Sequence, residues 1–432
     1  MEAIRTELKP GVFLTCLQTD KFKTACLSLN LLTQLNRDTA SLGALLPRVL
    51  RRGCRQYPDM EALSRELDRL YGARLDSVVR KRGEVQCLGF YADFVDDAWL
   101  PGGERLLEQI TGLMGQLLLQ PFTRGGLLLQ SYVENERGKL LDDIRSLIND
   151  KQAYANRRLT EQMCFGEDYA VAVLGSEETA GSIGYQKLTR YYRELLQTAP
   201  VELFYCGSAA PERVAAALSD ALATLPRGEV NFDIGTDIRM NTVEETTRYF
   251  TESLDVTQGK LSMGFRLGDA MEDPDFPALR VFNAAFGGAV TSKLFENVRE
   301  KLSLCYYASS ALDLHKGVLL VASGIEFDKY DAALSEIFAQ LRALQDGQLT
   351  DAELTAARKA VATDHRAIAD SPAALESFTL SQNLLGLDYG PEEFAALAEM
   401  VTKEQVVRIA GQVTCDAVYF LKGKEDEADD GQ

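Results

Sequence analysis

An internal duplication is the feature that most constrains how this chain folds. Residues 26–30 (CLSLN) resemble residues 260–264 (KLSMG), at an offset of 234 positions. The same offset carries Gly83 onto Gly317, and a strand-like apolar run follows each of these glycines. Later in each half an apolar run ends in glycine, at residues 201–207 and 417–423. Because these matches recur in one order at near-equal spacing, we interpret the chain as two homologous halves.

Each half shows the same succession of a strand, helices, a hairpin, long helices and a strand. Helical periodicity in the first half predicts helices at 41–52, 59–71 and 104–119, and one long helical stretch at 126–163. The second half repeats this arrangement, with a long helix at 351–382. Strands mixed with blocks of helices predict an α+β fold, in which helices cover mainly antiparallel sheets.

The length of the chain and a gap in its periodicity predict the domain boundaries. A chain of 432 residues exceeds the usual size of one domain, roughly 150 residues. Residues 226–245 combine glycines and charges with little apolar periodicity, which is typical of a junction between domains. We therefore expect an N-terminal domain at 1–228, a C-terminal domain at 229–424 and an acidic tail at 425–432.

Charge and cysteine content exclude several classes of function. The formal net charge of -18 argues against nucleic acid as a partner, because phosphate neutralisation needs clustered Lys and Arg. Eight scattered cysteines without a CxxC pair favour buried thiols in a reducing compartment. Residues 1–10 lack the apolar stretch of a signal peptide, and no window approaches 18 apolar residues. We expect a cytoplasmic protein without a membrane partner.

Residues 286–307 (FGGAVTSKLFENVREKLSLCYY) carry the most specific motif. Gly287 and Gly288 permit a tight turn and a close approach of the backbone. Arg299 projects from the last turn of the helix that follows, and Tyr306 begins the next strand. Both side chains donate hydrogen bonds, so the segment is a candidate site for the carbonyls of an extended peptide. The alternative, in which Arg299 pairs with a helix carboxylate and Tyr306 only packs, stays open.

This segment resembles the C-terminal homologous domain of the M16 (pitrilysin/insulinase-like) metallopeptidases. In that family, a glycine-rich turn and an SRLFxxxREKxxLxYS segment supply an Arg and a Tyr that hold the substrate peptide. Arg299 and Tyr306 have the same spacing, which implies the same role for them and for Gly287 and Gly288. The resemblance covers nearly the whole chain and implies the LuxS/MPP-like fold. In the first half it rests on three segments: 21–32 (KFKTACLSLNLL), 51–75 (RRGCRQYPDMEALSRELDRLYGARL) and 80–94 (RKRGEVQCLGFYADF).

The resemblance also implies a zinc motif, HxxEH, on the first helix. Counting back from Gly53, this motif falls on residues 44–48, which read ALLPR. Ala44 and Arg48 stand at the two His positions, and Pro47 stands at the position of the general base. Zinc binding needs two imidazoles one helical turn apart, and the motif supplies none. We expect a degenerate metal motif, no metal, no catalytic residue and no enzymatic activity.

A substitute metal site is not visible in the sequence. The chain has two histidines, His315 and His365, which we expect to be solvent-exposed. Four carboxylates lie near the expected place of the family's third zinc ligand, and without His partners we interpret them as a solvated helix face. A carboxylate-only calcium or magnesium site stays open. These carboxylates are Glu134, Glu136, Asp142 and Asp143.

Basic residues cluster where the metal would have been. Arg48, Arg51, Arg52 and Arg55 lie within and just after the degenerate motif. Two interpretations stay open: a basic patch that attracts an acidic peptide or partner surface, or an ordinary solvent-exposed face.

The small branch of the M16 family often pairs an active subunit with an inactive one that retains the Arg/Tyr element. The resemblance therefore implies a non-catalytic, peptide-binding subunit that partners an active, zinc-bearing M16 subunit in a clamshell heterodimer. Zinc would then be present only in the partner. The alternative is a structural or scaffold homologue with no role in proteolysis, as in the core subunits of the respiratory chain. Self-association of the isolated chain stays open.

Overall fold

A computed structural model of the chain describes residues 3–424, so the predicted acidic tail at 425–432 lies outside the described residues. Thirteen strands are found in the described part. The strands are β1 (Ala3–Lys9), β2 (Val12–Gln18), β3 (Thr24–Gln34), β4 (Arg74–Arg82), β5 (Val85–Val95), β6 (Thr123–Arg124), β7 (Leu127–Leu128), β8 (Val201–Gly207), β9 (Arg248–Leu254), β10 (Gly259–Arg266), β11 (Cys305–Asp313), β12 (Val318–Ile325) and β13 (Thr414–Gly423).

Fourteen α-helices lie between these strands over the same described range, together with two π-helical segments, Ala284–Gly288 and Leu294–Lys301. The helices are α1 (Ala40–Leu50), α2 (Met60–Arg69), α3 (Leu106–Leu119), α4 (Gln130–Ser146), α5 (Lys151–Met163), α6 (Glu177–Gly181), α7 (Tyr185–Thr198), α8 (Pro211–Ala221), α9 (Phe276–Asn283), α10 (Tyr330–Gln345), α11 (Asp351–Ile368), α12 (Pro372–Leu385), α13 (Pro391–Met400) and α14 (Lys403–Gln412).

Two sheets repeat one strand order, which supports the predicted duplication. The six-stranded sheet has the order β1-β2-β8-β3-β5-β4, and the five-stranded sheet has the order β9-β13-β10-β12-β11. Apart from the additional β1, the sheets correspond strand for strand. In each, one pair is parallel, β2 with β8 and β9 with β13, and the other pairs are antiparallel. The predicted α+β class with mainly antiparallel sheets is confirmed.

The two predicted hairpins are present. Arg82 pairs with Val85 across the turn between β4 and β5, and Gly83 in that turn has a φ of 58°. Asp313 pairs with Val318 in the second hairpin, where Gly317 has a φ of 68°. This left-handed conformation is strained for residues with a Cβ, which explains why glycine stands at both positions.

The chain forms two compact units, each built from separate stretches. Unit 1 contains the described residues up to Arg145, with 171–235 and 368–390. Unit 2 contains 146–170, 236–367 and the described residues from Pro391 onward. The predicted halves 1–228 and 229–424 therefore differ from the compact units. The first half contributes 146–170 to unit 2, and the second half contributes 229–235 and 368–390 to unit 1.

The segment that the first half contributes to unit 2 carries α5. This helix packs on β10 and β13, where Leu159 and Met163 join one buried cluster with Tyr419 and Leu421. Ser262 on β10 donates a hydrogen bond from its hydroxyl to the side-chain carbonyl of Asn156 at 2.7 Å. Each face of a sheet needs its own covering layer. Because α5 packs on β10 and β13, it covers part of one face of the five-stranded sheet in unit 2.

The segment that the second half contributes to unit 1 carries α12. Its Glu376 is 1% exposed and accepts hydrogen bonds from the Arg80 guanidinium on β4 at 2.6 and 2.9 Å. Leu375 packs with Cys26 and Phe204 in a buried cluster of the same unit. The buried ion pair and the apolar contacts together hold α12 on the six-stranded sheet.

The prediction of continuous long helices at 126–163 and 351–382 is wrong. Each breaks near the point where the chain passes into the other unit, between α4 and α5 and between α11 and α12. Asp150 caps α5 by accepting the N–H groups of Gln152 and Ala153 at 3.1 and 2.9 Å. Ser371 caps α12, which has proline in its first turn. These caps begin new helices because they satisfy the first free N–H groups.

None of the eight cysteines, all of which lie within residues 3–424, forms a disulfide. Seven of them are buried, as expected, and Cys305 is half-buried. In the same range, no helix is both long and apolar enough to cross a membrane.

Candidate functional site

Helix α1 carries the degenerate metal motif of unit 1. Ala44 is fully buried, Pro47 is buried inside the helix, and Arg48 is half-buried. The positions of the first His and of the general base therefore lie in the core. Pro47 also removes one backbone donor from the helix, because proline has no N–H.

Two guanidinium groups near the end of α1 pair with carboxylates on α4. Arg48 donates to Asp143 at 2.6 Å, and Arg52 donates to Glu136 at 3.2 Å. Glu136 also accepts from Lys139 at 2.8 Å. The prediction of a solvated carboxylate face is wrong for Glu136, which is 6% exposed because it lies between these two cations.

The residues of the degenerate motif do not fit a zinc ion. Ala44 and Pro47 have no ligand atom in their side chains, and the guanidinium of Arg48 repels a cation. Within residues 3–424, no group of three or more His, Cys, Asp or Glu side chains could hold a metal. Arg48 instead pairs with Asp143 on α4, the helix on which the third zinc ligand was expected.

The expectation that both histidines are solvent-exposed is wrong, because His315 and His365 are each half-buried. The ring of His365 stacks on Phe394 with 4.1 Å between centroids, and its Nδ1 lies 2.8 Å from the carbonyl oxygen of Val361. Burial lowers the pKa of His365, which favours the neutral ring. These contacts assign His365 to packing in unit 2.

A pocket of about 430 Å³ lies beside the degenerate motif in unit 1. Three of the four clustered arginines line it, whereas the fourth, Arg55, is exposed and does not. The pocket reaches from the end of α1 to α4 and to the edge strand β4. Its polar lining includes Arg48, Arg51, Arg52, Ser77, Glu136 and Lys139.

The two glycines of the predicted binding motif end the first π-helical segment of unit 2. Neither has a positive φ, so a left-handed turn is not the reason for glycine. A Cβ on Gly287 would lie 2.7 Å from the Ser310 hydroxyl and 2.8 Å from the Ser310 amide nitrogen on β11. The tight turn follows the glycines, where the N–H of Ser292 donates to the carbonyl of Ala289 at 3.0 Å. The close backbone approach expected for Gly287 is therefore present.

Arg299 lies on the second π-helical segment, Leu294–Lys301. Its side chain is 41% exposed, its guanidinium stacks 4.7 Å from the centre of the Phe295 ring, and its Nε lies 3.5 Å from a carboxylate oxygen of Glu300. An exposed pair at that distance contributes little to stability. Arg299 therefore pairs with a carboxylate of its own helical segment, as the alternative expected, through a contact that is exposed to water. π-helical turns occur often at functional sites.

Tyr306 lies at the beginning of β11, which is the edge strand of the five-stranded sheet. The ring is 62% exposed. Cys305 pairs with Ile325 and Tyr307 pairs with Gly324, so Tyr306 is the extra residue of a β-bulge. A bulge turns a side chain away from its regular direction, and bulges are frequent beside binding sites. Tyr306 is therefore not packed in the core.

Comparisons with known proteins identify the family and the fold of the chain. Residues 182–361 match the family model described as "Peptidase M16 inactive domain". Over 417 residues the chain is 32% identical to "Probable inactive metalloprotease YmfF" of Bacillus subtilis (strain 168), and the match covers 96% of each chain. The chain therefore belongs to the M16 peptidase family. Neither histidine of that family's zinc motif is present at residues 44–48, which read ALLPR.

Two solved structures share the fold over 98% of this chain and 99% of their own. A conserved protein from Enterococcus faecalis V583 superimposes with a TM-score of 0.87 at 27% identity. A peptidase M16 inactive domain from Pseudomonas fluorescens superimposes with a TM-score of 0.79 at 16% identity. The resemblance that the sequence motifs suggested is confirmed at the level of family and fold.

Proposed function

We propose that this chain is a non-catalytic, peptide-binding partner of an active, zinc-bearing M16 subunit, with which it forms a clamshell heterodimer. The observation that supports this most strongly is the contrast between its two motifs. Arg299 and Tyr306 are exposed at or near the edge strand β11, whereas Ala44, Pro47 and Arg48 cannot hold zinc. In such a pair, the partner would hold the zinc that polarises the scissile carbonyl, and this chain would anchor the peptide strand.

The edge strand β11 suits an extended peptide. An edge strand presents backbone N–H and C=O groups that can pair with an added strand. Arg299 and Tyr306 would supplement this pairing, because a guanidinium and a phenol both donate hydrogen bonds to peptide carbonyls. Gly287 keeps the preceding segment close to β11, so a side chain at that position would push the segment away from the strand.

The unpaired state of the cysteines supports a cytoplasmic location for this complex. Seven of the eight free thiols are buried in this fold. A reducing compartment keeps such scattered thiols from forming disulfides.

Removal of both donors tests the peptide-binding role. The double variant Arg299→Ala/Tyr306→Phe should lower kcat/KM of the reconstituted heterodimer by about 100-fold, because it removes one charged and one neutral hydrogen bond to the peptide. A matched control is Arg342→Ala/Tyr249→Phe, which changes an exposed arginine on α10 and an exposed tyrosine on the opposite edge strand β9. The control pair should keep its turnover.

The same experiment separates the proposal from the scaffold alternative. A structural homologue would bind its partner with unchanged affinity and would leave proteolysis unaffected by the double variant. Unchanged turnover in a heterodimer that still assembles would therefore contradict the peptide-binding role and favour the scaffold.

A further inference from the structure

The pocket beside the degenerate motif carries an excess of positive charge in an acidic chain. Four cations line it, and three carboxylates pair with them, which leaves one positive charge. The whole chain carries a net charge of -18. The cations are Arg48, Arg51, Arg52 and Lys139, and the carboxylates are Asp76, Glu136 and Asp143.

Two of these carboxylates can give way to a ligand. Asp143, which pairs with Arg48, is 52% exposed, and Asp76, which pairs with Arg51 at 3.1 Å, is 65% exposed. Each carboxylate is the exposed partner of its pair, so water solvates it well once it is released, and the pair contributes little free energy. An incoming carboxylate could therefore replace Asp143 or Asp76 on its guanidinium at small cost.

The third arginine has hydrogen-bonding capacity to spare. Arg52 donates from Nη1 to Glu136, which it shares with Lys139, and stacks 4.9 Å from the centre of the Tyr132 ring. Its buried Nε has no hydrogen-bond partner among the residues that the structure describes. A buried donor without an acceptor is costly, and a bound anion is one group that could compensate for it.

The position of the pocket relates it to an extended peptide. Ser77 and Val79 line the pocket and are alternate residues of β4, the strand at the end of the six-stranded sheet. Alternate residues of a strand point to the same face. A peptide segment that lies along β4 would present alternate side chains to that same face, beside the arginines.

We propose that this pocket, at the position of the degenerate zinc motif, binds a carboxylate of the peptide. The inference rests on the proposed peptide-binding function and specifies a carboxylate as the group that the pocket recognises in the substrate. Guanidinium groups bind carboxylates in fixed geometry, often through two parallel hydrogen bonds, which an amide cannot match in strength. The carboxylate can belong to an Asp or Glu side chain or to the C-terminus of the peptide.

The test uses two random nonapeptide mixtures, one amidated at the C-terminus and one with a free carboxylate. Each is captured by the full-length chain, alone and in the reconstituted heterodimer with chelator present so that no peptide is cleaved, and the captured peptides are sequenced. If a side chain is the source, the proposal predicts about tenfold enrichment of Asp and Glu over Asn and Gln at one position of the amidated mixture. If the terminus is the source, it predicts about tenfold better capture of the mixture with a free carboxylate than of the amidated mixture. The first result identifies a side chain as the source, and the second identifies the terminus.

A pair of variants ties the preference to the pocket. Arg48→Gln removes a lining cation whose partner is half-exposed, so the fold should be retained, and it should abolish the acidic preference. Arg55→Gln removes a nearby exposed arginine that does not line the pocket, and it should leave the preference unchanged. Arg52→Gln provides a second variant in the lining.

The outcomes separate the pocket from the proposed function. Peptides captured without any acidic or terminal preference would overturn the pocket and leave peptide binding intact. A preference that survives in both Arg48→Gln and Arg52→Gln would also overturn the pocket. If the chain captures peptide from neither mixture, the proposed function is overturned, and the inference about the pocket fails with it.

Discussion

The two units share a strand order but differ in where they place their charges. In unit 1, the charges near the degenerate motif meet at a pocket, and Asp143 and Asp76 are more than half exposed. In unit 2, charges of both signs lie inside the fold, where Arg266, Lys316 and Asp416 have side chains that are 0% exposed. The same architecture thus carries one set of ion pairs that a ligand can reach and another that it cannot.

The buried set connects the contributed segment of unit 2 to its sheet. Arg266 on β10 donates to Asp416 at 3.0 Å and to Glu167 at 2.7 Å, and Lys316 lies 2.7 Å from Glu167. Glu167 belongs to the stretch 146–170 that the first half contributes. The difference teaches that ion pairs of similar length serve different ends: buried ones hold the fold, and half-exposed ones remain available for binding.

Matched arginine substitutions would sharpen this comparison most. Arg266→Met should lower the free energy of unfolding by roughly 3–5 kcal/mol, because it leaves Glu167 and Asp416 buried with fewer partners. Arg48→Met should cost less than about 1 kcal/mol, because Asp143 is half-exposed and becomes hydrated. Chemical denaturation of both variants measures the difference. Equal losses would remove the distinction between the two sets.

Unit 1 also contains a buried carboxylate, but its surroundings differ from those of Asp416. Glu202 is 7% exposed and faces Arg5, which is 40% exposed, and the amide of Asn383, which donates to it at 3.0 Å. Burial raises the pKa of Glu202 to about 7, and the nearby Arg5 opposes this only in part. Asp416, by contrast, accepts hydrogen bonds from two arginines, Arg248 and Arg266.

This contrast predicts a pH dependence that belongs to unit 1. The pKa of Glu202 is raised on folding from its ordinary value of 4.5, so the protonated form stabilises the fold. That contribution is complete below pH 4.5 and is lost as the pH rises through about 7. Glu202→Gln should therefore equal the wild type near pH 4.5 and exceed it by up to about 3 kcal/mol at pH 8. Denaturation at both pH values, on both proteins, measures it. A constant difference would show that Glu202 does not titrate in this range.

Much of the fold could be predicted because its signals are local. The helix predicted at 59–71 is present as α2, and the carboxylate of Asp59 caps it by accepting the N–H of Ala62 at 2.8 Å. Gly83 and Gly317 marked hairpins because their turns need a positive φ. The exchange of α5 and α12 could not be predicted, because helical periodicity does not identify the sheet on which a helix packs. Its only local signals were the caps at Asp150 and Ser371.

The candidate site was likewise only partly predictable from the sequence. Arg299 and Tyr306 were found from a contiguous motif, and their role in peptide binding stays a prediction. The π-helical turns and the bulge at Tyr306 have no recognised sequence signal, because they depend on the pairing of β11 with β12. The pocket also escaped prediction: Ser77 lies on β4, Glu136 and Lys139 lie on α4, and only the fold brings these elements to the arginines.

The most direct test of the central claim is peptide cleavage by the purified chain. It is assayed alone and mixed with an HxxEH-bearing M16 paralogue from the same genome, with and without a chelator. The account predicts no cleavage by the chain alone, and chelator-sensitive activity in the mixture that exceeds the activity of the paralogue alone. Zinc-dependent cleavage by this chain alone would contradict the account, because Ala44, Pro47 and Arg48 would then not mark the site of a lost metal.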